Sequence, residues 1–296
     1  MPLPLPELPG VEHRFLELPT GVRAHVAEAG RPDAPPLVLV HGWPQHWWCW
    51  RRLIPLLAGD FRLLAPDLRA FGWSGRPPDG DLRKRRFAED AVALLEALGI
   101  ERAGYVGHDW GGWAGFHAVT RAPERWSGLL ALGILHPWVP YGTLARNLHR
   151  FAYQALFANP LVGPRLLRDH NGAIRVIKSA WGDRSTFDEA EAEPFAAAYA
   201  QPEQAADSSR LYRVFLLREA GRDIPRRPLQ VPTRLVIGSR DPLGASLAEG
   251  LERHGADART ELLDGCGHFV AEERPAETAA AARALFGAGT AGSATV

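Results

Sequence analysis

The amino-acid sequence predicts an α/β fold in which a mostly parallel sheet is flanked by helices and interrupted by an inserted α-helical cap. Three observations carry this expectation. Apolar runs of strand length recur, each closing in turn chemistry; helical patterns lie between them; and one long stretch, 138–226, is helical and aromatic without strand signals. The runs are "PLVLVHG" (36–42), "FRLLAPD" (61–67), "AGYVGHD" (103–109), "LLALGIL" (129–135) and "TRLVIGSRD" (233–241). Between the second and third, residues 87–98 set Ala91, Leu94, Leu95 and Leu98 on one helical face. Alternating strands and helices imply a sheet covered on both sides. Two earlier runs, "HRFLELP" and "VRAHVAEAG", alternate more clearly and are expected to pair antiparallel at the start of the sheet. The strand rhythm returns at "PLQVPTRLVIGSRD". The core is therefore expected over 1–137 and 227–288, the cap over 138–226, and a mobile tail of small residues over 289–296. An insertion at the carboxyl ends of the strands covers the crevice where open α/β sheets bind ligands.

Composition narrows the function. The 296 residues are 46% hydrophobic, enough for a sizeable core. The 34 basic and 34 acidic residues cancel, which leaves no overall field to favour nucleic acid or an anionic membrane. The basic run Arg83-Lys84-Arg85-Arg86 reads as a solvated face before a helix. Two cysteines, Cys49 and Cys266, build neither a disulfide framework nor a metal site. The start "MPLPLPELPG" lacks the pattern of a secretory leader, and no apolar run approaches the roughly 20 residues needed to span a bilayer. The expectation is a reduced, cytoplasmic protein without nucleic-acid or membrane partners, either monomer or homodimer.

The chemistry centres on "GYVGHDWGGWAG" (104–115). Gly107-His108-Asp109-Trp110-Gly111 has the spacing of a nucleophile elbow, a sharp strand-to-helix turn whose glycines leave no room for side chains. Asp109 stands at the apex, where many hydrolases carry serine. A serine needs a base to remove its proton, whereas an aspartate is already ionised and attacks directly. A carboxylate suits displacement at a strained or activated saturated carbon, and the product is an ester on the enzyme. Two further strand ends supply Asp241 in "GSRDPLG" and His268 in "DGCGHFVAEERP". A histidine can activate water against that ester, with an acid to orient its ring. Ser74 in "GWSG" is one residue short of elbow spacing, and Asp67 and His41 lack the elbow glycines.

In the order "HGWPQHWWCW" (41–50), "GHDWGG" (107–112), "GSRDP" (238–242) and "GCGHFVAEERP" (265–275), the chain resembles the α/β-hydrolase superfamily, and within it the epoxide hydrolases. The resemblance implies a cofactor-independent, metal-free hydrolase acting on a small hydrophobic epoxide with water. Asp109 would be the nucleophile, His268 the base and Asp241 its partner. The amides of Trp43 and Trp110 would hold the oxyanion, with a cis Trp43–Pro44 bond. A pair of cap tyrosines would protonate the opened oxygen, Tyr153 and Tyr212 matching best by position, with Tyr141 and Tyr199 as substitutes. The aromatic density suggests an apolar pocket, for which His41, Pro44, Trp113 and Trp138 are candidates, while Trp47, Trp48 and Trp50 read as core. Two alternatives stay open. A haloalkane or haloacid dehalogenase would use the same Asp109, although its Asn is replaced by Trp43 and no arginine follows the nucleophile. A non-catalytic ligand receptor on a hydrolase scaffold would not need all of these side chains.

Overall fold

The strands of the computed structural model are β1 (Val11–Glu17), β2 (Arg23–Ala29), β3 (Pro36–Val40), β4 (Arg62–Pro66), β5 (Ala103–His108), β6 (Trp126–Leu132), β7 (Thr233–Gly238) and β8 (Ala258–Leu263). The structure describes residues 3–287 apart from Ile224 and Arg226, so the expected tail at 289–296 lies outside the described residues. The strands form one eight-stranded sheet in the order β1-β2-β4-β3-β5-β6-β7-β8. β2 pairs antiparallel with β1 and β4, and the remaining neighbours are parallel.

β5 is buried along its whole length, as the continuous apolar run "AGYVGH" requires of a strand covered on both faces. Successive residues of a strand face opposite sides. Tyr105 lies against Gly115 of the helix Trp110–Arg121, while Gly104 lies against Phe286 of the helix Pro275–Phe286, so these helices cover opposite faces. β8 gave no signal in the sequence. Its residues "ARTELL" are mostly exposed or half-buried because it is an edge strand, where polar side chains are the rule. β6 is displaced from the expected 129–135. It stops at Leu132 because Gly133 turns the chain at φ 54°, and Ile134 and Leu135 leave the sheet for the cavity below.

The basic run forms a solvated face except at Lys84. It begins the helix Lys84–Ala97, and Lys84 is fully buried, its ammonium 2.7 Å from Glu219. Arg83, Arg85 and Arg86 stay at the surface and pair with Asp79, Asp81 and Glu89. Between β6 and β7 the described residues form helices and turns without a strand, including Ala152–Ala158, His170–Ser179, Glu189–Tyr199, Pro202–Val214 and a π-helical turn, Phe215–Glu219. No helix among the described residues is long and apolar enough to cross a membrane.

Candidate active site

The turn from β5 into the helix Trp110–Arg121 places Asp109 at φ 49°, ψ −120°, a backbone conformation that costs free energy for a side-chain-bearing residue. Its neighbours show why glycine is required. A Cβ on Gly107 would lie 2.5 Å from the Gly111 carbonyl oxygen, and one on Gly111 would lie 2.1 Å from that of Val40. β3 pairs beside β5, so the loop after β3 crosses the elbow. From it the Trp43 N–H donates to Asp109 Oδ1 at 2.9 Å, and the Trp43–Pro44 bond is cis. Trp110 opens the helix, and the first amides of a helix have no intrahelical acceptor.

The ends of β7 and β8 bring the other two groups. His268 Nδ1 donates to Asp241 Oδ2 at 3.0 Å, and its Nε2 faces Asp109 Oδ2 at 3.6 Å. Asp241 Oδ1 accepts the Leu243 N–H at 2.8 Å, so both of its oxygens are engaged. Glu273 holds the loop around His268 by accepting the N–H groups of Gly267, Phe269 and, from the cap, Gly182. The His268 N–H donates to cap Ala180, and its carbonyl accepts His108 Nε2–H at 3.0 Å. Burial disfavours the imidazolium, but Asp241, together with the hydrogen bond and charge of Asp109, raises the pKa of His268 to about 10. The two neighbouring acidic side chains thus favour the protonated imidazole in the resting site.

Tyr153 from Ala152–Ala158 and Tyr212 from Pro202–Val214 meet above Asp109, with ring centroids 6.0 Å apart and planes at 82°. Burial, and then the charge of Asp109, raise the Tyr153 hydroxyl above its ordinary pKa; burial does the same for Tyr212. Both remain protonated donors. Tyr141 instead sits exposed at the rim with its hydroxyl on the Gly221 carbonyl, and Tyr199 is buried away from the cavity lining.

The cavity has two lobes, of about 210 and 220 Å³, that share Asp109, Tyr153 and Leu243. Trp110 and Trp113 line the first; Trp43, Pro44, Tyr212 and His268 line the second. Two expected pocket residues are elsewhere. His41 is fully buried under the loop, its Nδ1–H on the Gly42 carbonyl and its Nε2 accepting the Leu68 N–H, so both ring nitrogens are occupied in holding the Trp43 turn. Trp138 turns outward, stacks on His254 at 4.5 Å and donates to the Pro225 carbonyl. The sequence reading missed Ile134, Leu135, Leu243 and Phe269 as lining residues. Their signal was position alone, one to three residues beyond a strand end or a site residue. Among the described residues no group of three or more His, Cys, Asp or Glu side chains is placed to hold a metal ion.

Residues 35–275 match the family model described as alpha/beta hydrolase fold. The chain belongs to the α/β hydrolase family. This hydrolase is 30% identical over 276 residues to an AB hydrolase superfamily protein of Bacillus subtilis, covering 90% of this chain and 95% of the relative. It is 29% identical over 303 residues to Epoxide hydrolase A of Mycobacterium tuberculosis, covering 88% and 93%. Among solved structures, the epoxide hydrolase CorEH without ligand superposes with a TM-score of 0.78 at 28% identity, covering 94% of this α/β hydrolase and 99% of that chain.

Proposed function

We propose that this α/β hydrolase is an epoxide hydrolase that opens a hydrophobic epoxide to a vicinal diol through an ester on Asp109. The observation that carries this is a carboxylate at the elbow with one oxygen held by the Trp43 amide, the other open toward His268, and two protonated tyrosines above it. The similarity to Epoxide hydrolase A and to CorEH supports the same reading.

Asp109 Oδ2 attacks a ring carbon and the carbon–oxygen bond of the strained ring breaks. Tyr153 and Tyr212 bind the leaving oxygen and supply its proton, so one product hydroxyl is formed before the ester is hydrolysed. Water then attacks the ester carbonyl carbon while its proton passes to His268 Nε2. Charge develops on Oδ1, where the Trp43 N–H already points and the Trp110 amide is the second donor. Collapse of the tetrahedral intermediate expels the alkoxide, which takes the proton back from His268 to give the second hydroxyl of the diol, and the remaining carboxyl proton restores the tyrosine hydroxyl and leaves Asp109 as a carboxylate. Asp241 fixes the imidazole tautomer throughout.

A dehalogenase would need N–H donors for a halide instead. The Trp110 indole N–H is buried beside the Tyr212 hydroxyl, and the Trp43 indole N–H is already on Ser208 Oγ. A halide would therefore be left with one side-chain donor in place of two.

The test is the intact mass of His268→Gln after exposure to mixed hydrophobic epoxides and, separately, to mixed haloalkanes. Removing the base should trap the ester as an addition of the whole epoxide, and Asp109→Ala should abolish it. An adduct from haloalkanes alone would make the enzyme a dehalogenase; none from either would remove the covalent mechanism.

A further inference from the structure

We propose that the face around the mouth of the first lobe docks on an anionic lipid surface, so that a hydrophobic substrate enters the lobe directly from lipid. Docking is independent of the reaction; that the substrate is an epoxide rests on the reading above. The zero overall charge argues against a membrane partner, but apolar surface and charge are unevenly placed. Eight of the eleven large apolar side chains exposed among the described residues lie between β6 and β7. Tyr141 and Leu148 are 64% and 68% exposed, Leu216 and Leu217 40% and 67%. Tyr141, Leu148 and Leu216 also line the first lobe, so its mouth opens among exposed apolar side chains.

The two stretches that carry these side chains are in contact. The Tyr141 hydroxyl donates to the Gly221 carbonyl at 2.9 Å, and Arg213 Nη1 donates to the Ala158 carbonyl at 2.9 Å. The same stretches are basic. Residues 141–168 contain four arginines and no Asp or Glu; residues 208–222 contain four more, and their single acid, Glu219, is buried on Lys84.

Two successive residues join the apolar and the basic parts. Leu216 lines the lobe, while Leu217 lines a neighbouring cleft of about 430 Å³ together with Arg83, Arg210, Arg213 and Arg218. The two carboxylates of the cleft, Asp79 and Asp81, are already held by Arg86 and Arg83. Arg210 and Arg218 form no ion pair among the described residues, and Arg213 donates to neutral acceptors, the Ala158 carbonyl and Ser209 Oγ. Burial, and then the charge of Arg210, hold Arg213 below the ordinary arginine pKa. Guanidinium groups gathered without free acids suit the phosphates of lipid headgroups, while leucines beside them enter the acyl boundary. An acidic protein surface would match the arginines but not an apolar mouth that leads to the lobe. A bilayer supplies both the anionic headgroups and a store of hydrophobic substrate.

The test is sedimentation of the full chain with vesicles of phosphatidylglycerol mixed with phosphatidylcholine, and with vesicles of phosphatidylcholine alone. The wild type should partition onto the anionic vesicles, leave them as salt is raised, and bind the neutral vesicles weakly. Arg210→Gln with Arg218→Gln should lower partitioning about 25-fold, near fivefold for each basic residue at an anionic surface. Leu217→Ser, which leaves every charge in place, should lower it roughly tenfold. Urea midpoints equal to that of the wild type will show that neither loss reflects misfolding. A long-chain alkene epoxide dissolved in anionic vesicles should be opened more slowly by the double variant than by the wild type, and equal rates would overturn delivery from lipid. Equal binding to both kinds of vesicle would overturn the docking, as would no binding to either, which would leave the face to an acidic protein. Sedimentation needs no turnover, so docking can stand if the epoxide reading fails and can fail while that reading stands.

Discussion

His268 begins the proposed cycle in the wrong protonation state for a base, because two carboxylates hold its pKa near 10. The first half-reaction corrects this. Once Asp109 becomes an ester, its charge and its contact with Nε2 are lost, burial weighs more heavily, and the imidazole releases its proton more readily. The base is thus activated by formation of the intermediate whose hydrolysis it must assist. Alkylation should proceed while His268 is protonated, whereas ester hydrolysis should slow roughly tenfold per unit as pH falls below the titration of His268 in the ester. Rapid-quench mass spectrometry of the wild type at pH 5 should detect an adduct that disappears faster as pH rises. A decay independent of pH would remove His268 from the step. The positions of Asp109 and Asp241 were legible because each follows a strand-length run, that of His268 came from the stretch "DGCGHFVAEERP", and the elbow glycines mark a turn that only they permit. The state of the imidazole was not legible, since it depends on ångström distances to groups far away in sequence.

Among elements, the contact between the helix Lys84–Ala97 and the turn Phe215–Glu219 fastens the cap to the core beside the elbow. Glu219 accepts both the Lys84 backbone N–H and its ammonium at 2.7 Å, and the ammonium lies 4.3 Å from the ring centroid of Trp110. Both charges are buried, so removing one strands the other. Lys84→Met should lower unfolding free energy by about 3–5 kcal/mol, and Lys84→Met with Glu219→Met should recover much of it. Urea midpoints will decide, and a single variant as stable as the wild type would contradict the account. This contact also shows why the basic run misled. A run of cations is normally solvated, and the acid that draws Lys84 inside lies 135 residues away. β8 escaped notice for a related reason, because an edge strand need not carry the apolar run that marked β5.

Over the whole molecule, buried histidines set the response to acid. Burial above all holds His46, His108 and His117 at pKa values of about 4, below the ordinary 6.5. Each binds protons more weakly in the folded chain than in the unfolded one. Their contribution is present in full above pH 6.5 and is lost as pH falls toward 4, at up to about 1.4 kcal/mol per pH unit for each. Asp67 behaves differently. Burial would raise its pKa, but the hydrogen bond and charge of His25 bring it to about 2, so its contribution declines only below pH 3.8. His268 has the opposite sign and keeps its contribution throughout this acid range, losing it as pH rises toward 10. Urea titrations should therefore show stability falling between pH 6.5 and 4, before most carboxylates titrate; a flat profile there would refute the assignment. Most of the sheet could be read from the sequence because its strands other than β8 announce themselves locally. The arrangement of the cap helices could not, since it is decided by which aromatic faces meet, as when Tyr212 packs edge-on against Trp43 at 5.0 Å. The sheet order also sets the sequence of events during synthesis. Asp109 follows β5 at the centre of the sheet, while His268 follows β8, the last strand made. A ribosome working from the N-terminus delivers the nucleophile long before the residue that frees it from its ester. On the proposed chemistry, a chain cut short before β8 that still formed its cap could capture one epoxide and never let it go, a single-use scavenger where the finished chain is a catalyst.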